Sequence, residues 1–193
     1  MSSKSVRVAA LLSPLLIAAC SATLTAAPTS AVSEASSRAQ LEQSARQALH
    51  TLYETTPGAR ALGSKSAGIL VFPQVLKAGL LVGGSSGNGV LFSAEGKVLG
   101  YYNSSAVSWG LQAGAQNFSE AMFMMTRESM QYLDSSDGWS VGVGPSVVVA
   151  DSGMAKDLTT TTGRSDIYAF IYGQSGLMAG LGVQGQKITR LSE

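Results

Sequence analysis

The chain has 193 residues, with 13 Lys and Arg against 12 Asp and Glu, one His, one Cys and 22 Gly. So even a balance offers no strongly basic face, which sets a nucleic-acid partner aside, and one His with one Cys cannot furnish the common zinc sites. High glycine and charged residues at 13% suggest β-rich structure with close backbone packing rather than a helical bundle.

Residues 1–19 follow the pattern of a secretory signal, with Lys4 and Arg7 ahead of an apolar run from Val8 to Ala19. That run is well short of the roughly 20 residues a spanning helix needs, and Pro14 interrupts it. It ends in Ile17-Ala18-Ala19-Cys20, which resembles the lipobox of bacterial lipoproteins, whose cysteine thiol takes up diacylglycerol and becomes the new N-terminus. With no second cysteine there is no internal disulfide, and a covalent lipid anchor explains a lone exported Cys20 better than a free thiol does. Ser21 after it resembles lipoproteins sorted to the outer membrane, so the expected location is exported, on that membrane, facing the periplasm or the cell surface. Cleavage removes Lys4 and Arg7 and leaves 11 basic against 12 acidic residues, a net charge of −1.

Residues 20–37 hold the lipidated cysteine and then mostly Ala, Ser and Thr, which reads as a flexible linker. Leu41, Ala45, Ala48, Leu49 and Leu52 form a helical stripe, and Thr55-Thr56-Pro57-Gly58 ends it. Short apolar runs follow at Ile69–Phe72, Gly79–Val82, Val90–Phe92 and Val98–Tyr102, with turn signals at Pro73, Ser85–Gly89 and Glu95-Gly96. Gly110–Gln116, Val141–Ala150, Ile167–Tyr172, Gly176–Gln184 and Lys187–Leu191 continue the series. Glycine alternates with larger residues at Val141–Gly144 and Ala179–Val183, so one strand face is bare and another layer can approach it. Asn117–Leu133 reads as a strand to about Met125 and then a short helix capped by Thr126, with the methionines as core filler. The expected class is α+β: a mostly antiparallel sheet or small barrel-like sheet, packed with an N-terminal amphipathic helix and one or two short helices.

No catalytic pattern survives inspection. Gly83-Gly84-Ser85-Ser86-Gly87 spells GxSxG, but His50 is upstream and a strand follows the serine, so a glycine-rich hairpin is the better reading. Gly180, Gly182 and Gly185 spell GxGxxG too close to the end of the sequence for a phosphate-binding helix. Gly58–Lys65 has Ser64 where a Walker lysine belongs. Asp134, Asp137, Asp151 and Asp157 lack calcium-loop spacing and read as solvated turn residues, and His50 as a helix-face residue. Neither a metal nor another cofactor is expected.

Ala67-Gly68-Ile69-Leu70-Val71-Phe72-Pro73, Lys77-Ala78-Gly79 and Gly83-Gly84 resemble the opening of the SYLF domain. Gly110–Gln116 and Gly142-Val143-Gly144-Pro145 are similar to its middle, and Ile167–Ile188 to its C-terminal signature. The resemblance implies a non-catalytic lipid-binding domain at 38–193, phosphoinositide binding being described for eukaryotic members and actin binding for some fungal ones. Its bacterial branch consists largely of exported proteins and lipoproteins. The partners expected are therefore membrane phospholipids, with Arg60, Lys65 and Lys77 meeting headgroups beside Phe72 and Leu76. The alternative is an envelope structural or protein-interaction module, whose contact is a sheet edge or a glycine-faced strand.

Overall fold

The computed structural model describes residues 29–134, 138–140, 144, 146–150 and 165–192. The signal segment, Cys20, Asp137, Val141–Val143, Asp151 and Asp157 lie outside the described residues. In chain order the elements are α1 (Thr29–Thr55), α2 (Pro57–Gly63), β1 (Gly68–Ser93), β2 (Val98–Met124), α3 (Arg127–Leu133), β3 (Trp139–Ser140), β4 (Val147–Ala150) and β5 (Ile167–Arg190). β1, β2 and β5 form an antiparallel sheet in that order; β3 pairs antiparallel and β4 parallel with the far side of β5. The expected α+β class, mostly antiparallel with an N-terminal helix and short helices, is the one observed.

The helical stripe is where the spacing puts it: Ala45, Ala48 and Leu52 are buried, with Leu41 and Leu49 packed beside them. α1 nevertheless starts at Thr29, inside the stretch read as linker to residue 37. Residues 33–37 are exposed, so no apolar stripe announces this part; the alanines favour helix, and the Ser36 and Ser37 hydroxyls donate to the Ser33 carbonyl. Pro57 then opens α2 at a first-turn position, where its missing N–H costs nothing. Thr126 caps α3 as expected, its hydroxyl accepting from the Ser129 N–H at 3.1 Å, and Met122 and Met124 just before it are core residues.

The strands differ from expectation in length. Three runs read as separate strands are one 26-residue β1, and β2 and β5 likewise fuse neighbouring runs into 27 and 24 residues. Pro73 does not end β1, because it sits in a register shift between Phe72 and Val75 on a strand that, among the described residues, is paired on one side only, where no ladder N–H is missed. The glycines of 85–89 do not make a turn either. A Cβ on Gly89 would lie 2.5 Å from Phe72 Cδ1, and one on Gly87 2.5 Å from the Gln74 carbonyl oxygen. Those contacts join distant positions of a single strand, so the ribbon is folded back on itself and glycine is what lets its two halves meet.

The fold line falls at Leu80–Val82. Leu80 pairs with Ala113 but Val82 pairs with Trp109, so β1 advances two positions while β2 advances four. β2 therefore runs the longer path around a bend, and Leu81 takes up the irregularity at φ 66°, a left-handed conformation uncommon for leucine. Between the two halves lies one core cluster, including Leu70, Phe72, Leu91, Tyr102, Met122, Leu133 and Ile188. A second, including Ile69, Val71, Val90, Phe92, Phe123 and Phe170, is covered by α1 and α2. Both ends of the ribbon are thus buried on two faces.

Candidate functional site

Two features of the folded ribbon stand out, one between its halves and one at its bend. Between the halves a cavity of about 250 Å³ is lined by Lys77, Gln116, Glu120 and Gln174 from the first half and by Ser85, Ser104 and Gln186 from the second, over Val75 and Phe118. Glu120 is buried there, at a position that strand alternation points inward between Phe118 and Met122. Gln186 Nε2 donates to Glu120 Oε2 at 2.9 Å and lies 2.9 Å from Ser104 Oγ, so this amide ties the two halves together. Burial pushes the Glu120 carboxyl up to about 7, only partly offset by the Gln186 hydrogen bond.

At the bend the outer face is apolar. Leu177 is 88% exposed and Leu80 73%, and Leu81, Val82 and Trp109 are each more than half exposed. Register places Val82 beside Trp109, and Leu177 beside Ala115, whose partner on β1 is Ala78. Residues 78–94, 98–119 and 167–186 contain no Asp, Glu, Lys, Arg or His, so all three strands pass the bend without a charge. Away from the bend the outward positions turn polar, with Ser86 opposite Ser105 and Asn88 opposite Asn103.

The residues expected to meet lipid are not brought together. Phe72 is fully buried between the halves of the ribbon and is withdrawn from the set: strict alternation would put Phe72 and Leu76 on one face, and the register shift between Phe72 and Val75 turns Leu76 outward while Phe72 points inward. Arg60, on α2, lies over the Tyr53 ring at 4.8 Å, and Lys65 is exposed just before β1. Lys77 lies nine positions into β1 from Gly68, about 30 Å of strand further on. It faces the interlayer cavity, while Leu76 next to it faces outward. Arg38 and Arg46 are likewise stacked on rings, over Tyr101 at 5.2 Å and Phe92 at 4.7 Å, so the arginines of α1 and α2 join helix to sheet or helix to helix.

Ser85 lies inside a continuous strand, not on a strand-to-helix turn, and His50 on α1 pairs with Glu54 at 3.5 Å. Asp134 is exposed as expected, yet it accepts from Arg190 Nη1 at 2.6 Å and from the Tyr102 hydroxyl at 3.0 Å. The bend and Glu120 went unread in the sequence although both left a trace there: three long charge-free runs, and one carboxylate set in the apolar strand Phe118–Met124.

A comparison with curated proteins gives no match. The stretches quoted from residues 67–89 fall outside the family match, which begins within β2 and takes in β5 and both flanks of the bend on that side. Over residues 105–193 the chain matches the model of the SYLF domain family, described as Ysc84, Las17-binding protein actin regulator.

Proposed function

We propose that this protein is a non-catalytic phospholipid-binding domain carried by a bacterial lipoprotein: residues 1–19 are removed, Cys20 is acylated, and the domain works at the outer membrane, facing the periplasm or the cell surface. The observation that carries the reading is the uncharged, exposed apolar face at the bend of the ribbon, since soluble proteins seldom leave large aliphatic side chains and a tryptophan this open without a partner for them. The lipobox sequence supports the location, and the family match over residues 105–193 supports a binding role. Las17 and actin are not carried over to an exported chain. Attachment then has two parts, acyl chains that localise and a domain surface that engages phospholipid.

The test separates the domain from its anchor. Mature chain from residue 20 with Cys20→Ser keeps every described residue and is expected to sediment with phosphatidylethanolamine–phosphatidylglycerol vesicles, whereas binding to no vesicle at any salt concentration would sink the lipid reading. The competing protein-interaction reading has one observation behind it: among the described residues, the outer edge of β1 has no strand partner. It gains first place if an envelope protein, crosslinked in cells through β1, protects that edge from hydrogen exchange while vesicles do not.

A further inference from the structure

We infer that the bend of the ribbon is itself the membrane-docking element, entering the bilayer interface with Leu80, Leu81, Val82, Trp109 and Leu177 foremost; this rests on the lipid-binding reading above and names the surface that performs it. A docking surface built on cations would need them gathered, and here Arg60 and Lys65 lie about 30 Å of strand from Lys77. The bend instead gathers apolar groups. Three adjacent strands cross it with no Asp, Glu, Lys, Arg or His between residues 78 and 94, 98 and 119, or 167 and 186, which is what transfer out of water demands of every strand entering together.

The chemistry is graded as an interface is. Large aliphatic side chains and Trp109 occupy the outermost positions. Behind them come hydroxyls and amides at Ser86, Ser105, Asn88 and Asn103, with the exposed Lys187 level with Ser105 in register. An apolar tip with an indole, backed by a layer of hydroxyls, amides and one cation, matches the order of hydrocarbon and then headgroup. The depth is limited by the backbone. Among the described residues β1 pairs on one side only, so its other edge carries N–H and C=O groups that hydrocarbon would leave unsatisfied, and the bend reaches the interface without spanning the membrane.

A bilayer fits this surface better than a protein does for a geometric reason. The apolar face is convex, wrapped around a fold line, and a convex tip buries a small footprint against a protein unless that protein supplies a groove; fluid lipid closes around any shape. The tether also permits it. From Cys20 to Thr29 an extended chain reaches about 30 Å. The first described turns of α1 adjoin Asn88, which is six positions, or about 20 Å of strand, from Val82. An anchor already in the bilayer therefore leaves the bend free to reach the same leaflet.

The decisive readout is depth. Acylated mature protein carrying Trp139→Phe leaves Trp109 as the only tryptophan, and in phosphatidylethanolamine–phosphatidylglycerol vesicles with brominated acyl chains its emission should shift to the blue and be quenched. The reciprocal variant Trp109→Phe, reporting from Trp139, should show neither change. In the unacylated Cys20→Ser chain, Leu80→Asp with Leu177→Asp should weaken vesicle partition by about tenfold or more, while Lys65→Glu with Lys77→Glu changes it by about threefold or less. Circular dichroism melting of each variant shows that the fold is kept, and the tryptophan readout needs neither leucine changed. If the unacylated chain binds vesicles but Trp109 is not quenched, or both tryptophans are quenched equally, another face docks and the inference fails while the lipid reading stands. If the unacylated chain binds no vesicle, both fall.

Discussion

β1 carries the same kind of residue at its ends and at its centre, yet the two regions live in different surroundings. Leu70, Val71 and Phe72 are wholly buried, as are Val90, Leu91 and Phe92, whereas Leu80, Leu81 and Val82 between them stand open to solvent. The ends are covered because the ribbon folds back and puts one face against its other half, while α1 and α2 lie on the opposite face. The centre is where the folding back happens, and a convex bend has nothing outside it to pack against. Apolarity alone therefore does not mark the core; the path of the chain decides which apolar run is covered. Replacing matched leucines measures that difference. Leu70→Ala should cost about 3 kcal/mol in urea unfolding, as a cavity in packed interior does, and Leu80→Ala less than about 0.5 kcal/mol. Equal costs would mean that the bend is covered after all.

Glycine gives a second paired test of the same contrast. A Cβ on Gly89 would meet the Phe72 ring and, at 2.7 Å, the Val71 carbonyl oxygen, so Gly89→Ala must push the halves of the ribbon apart. A Cβ on Gly84, on the outer side beyond the bend, meets nothing nearer than the Ala106 carbonyl oxygen at 3.6 Å, an ordinary contact. The first substitution should lower stability by about 2 kcal/mol and the second leave it within about 0.5 kcal/mol. A Gly89→Ala protein with the melting temperature of the parent would show that the halves are not in contact.

These glycines also mark where the sequence stopped being legible. The stripe of α1, the Thr126 cap, the Glu95-Gly96 turn and the antiparallel character were all readable, because each is written in local spacing. The continuity of the strands was not. Gly87 and Gly89 carry the same period-two signature that at Val141–Gly144 and Ala179–Val183 means close layer packing, but beside Ser85 and Ser86 they read as a turn. A glycine needed for a turn and one needed for a close approach look alike until the second layer is known, and here that layer is the other half of the same strand. The binding residues suffered from the same cause: Phe72 and Leu76 are four positions apart, and only the bulge and the fold line assign one to the interior and the other to the surface.

The joint between the halves should respond to pH. Burial raises the Glu120 carboxyl to about 7 in the folded protein, above its ordinary value of 4.5. The folded state then holds a proton that the unfolded state has released, so stability falls as pH rises through the interval between those two values. The expected loss from this group between pH 5 and pH 7 is about 2 kcal/mol. Glu120→Gln keeps a neutral group of the same shape and should flatten that part of the pH–stability curve, while removing none of the stability found at pH 5 beyond about 1 kcal/mol. A variant with the parent's slope would locate the titration elsewhere.

The smallest expected effect contrasts two tyrosine hydroxyls, one on a half-buried and one on a buried residue. The Tyr172 hydroxyl on β5 is buried with no hydrogen-bond partner among the described residues, and burial, together with nearby Tyr53, raises its pKa. A hydroxyl removed from water without a replacement partner costs free energy in the folded state, so Tyr172→Phe deletes that cost along with the oxygen. The Tyr102 hydroxyl on β2 is placed otherwise, donating to Asp134 Oδ1 at 3.0 Å, an acceptor that Arg190 also holds. Its removal forfeits a hydrogen bond to a carboxylate that stays solvated. Unfolding should therefore show Tyr172→Phe unchanged or more stable by up to about 1 kcal/mol, and Tyr102→Phe less stable by about 1 kcal/mol. A loss of that size at Tyr172 would mean that its hydroxyl is bonded in solution, and that the helix-covered face of the ribbon admits water where the packing of α1 and α2 leaves it dry.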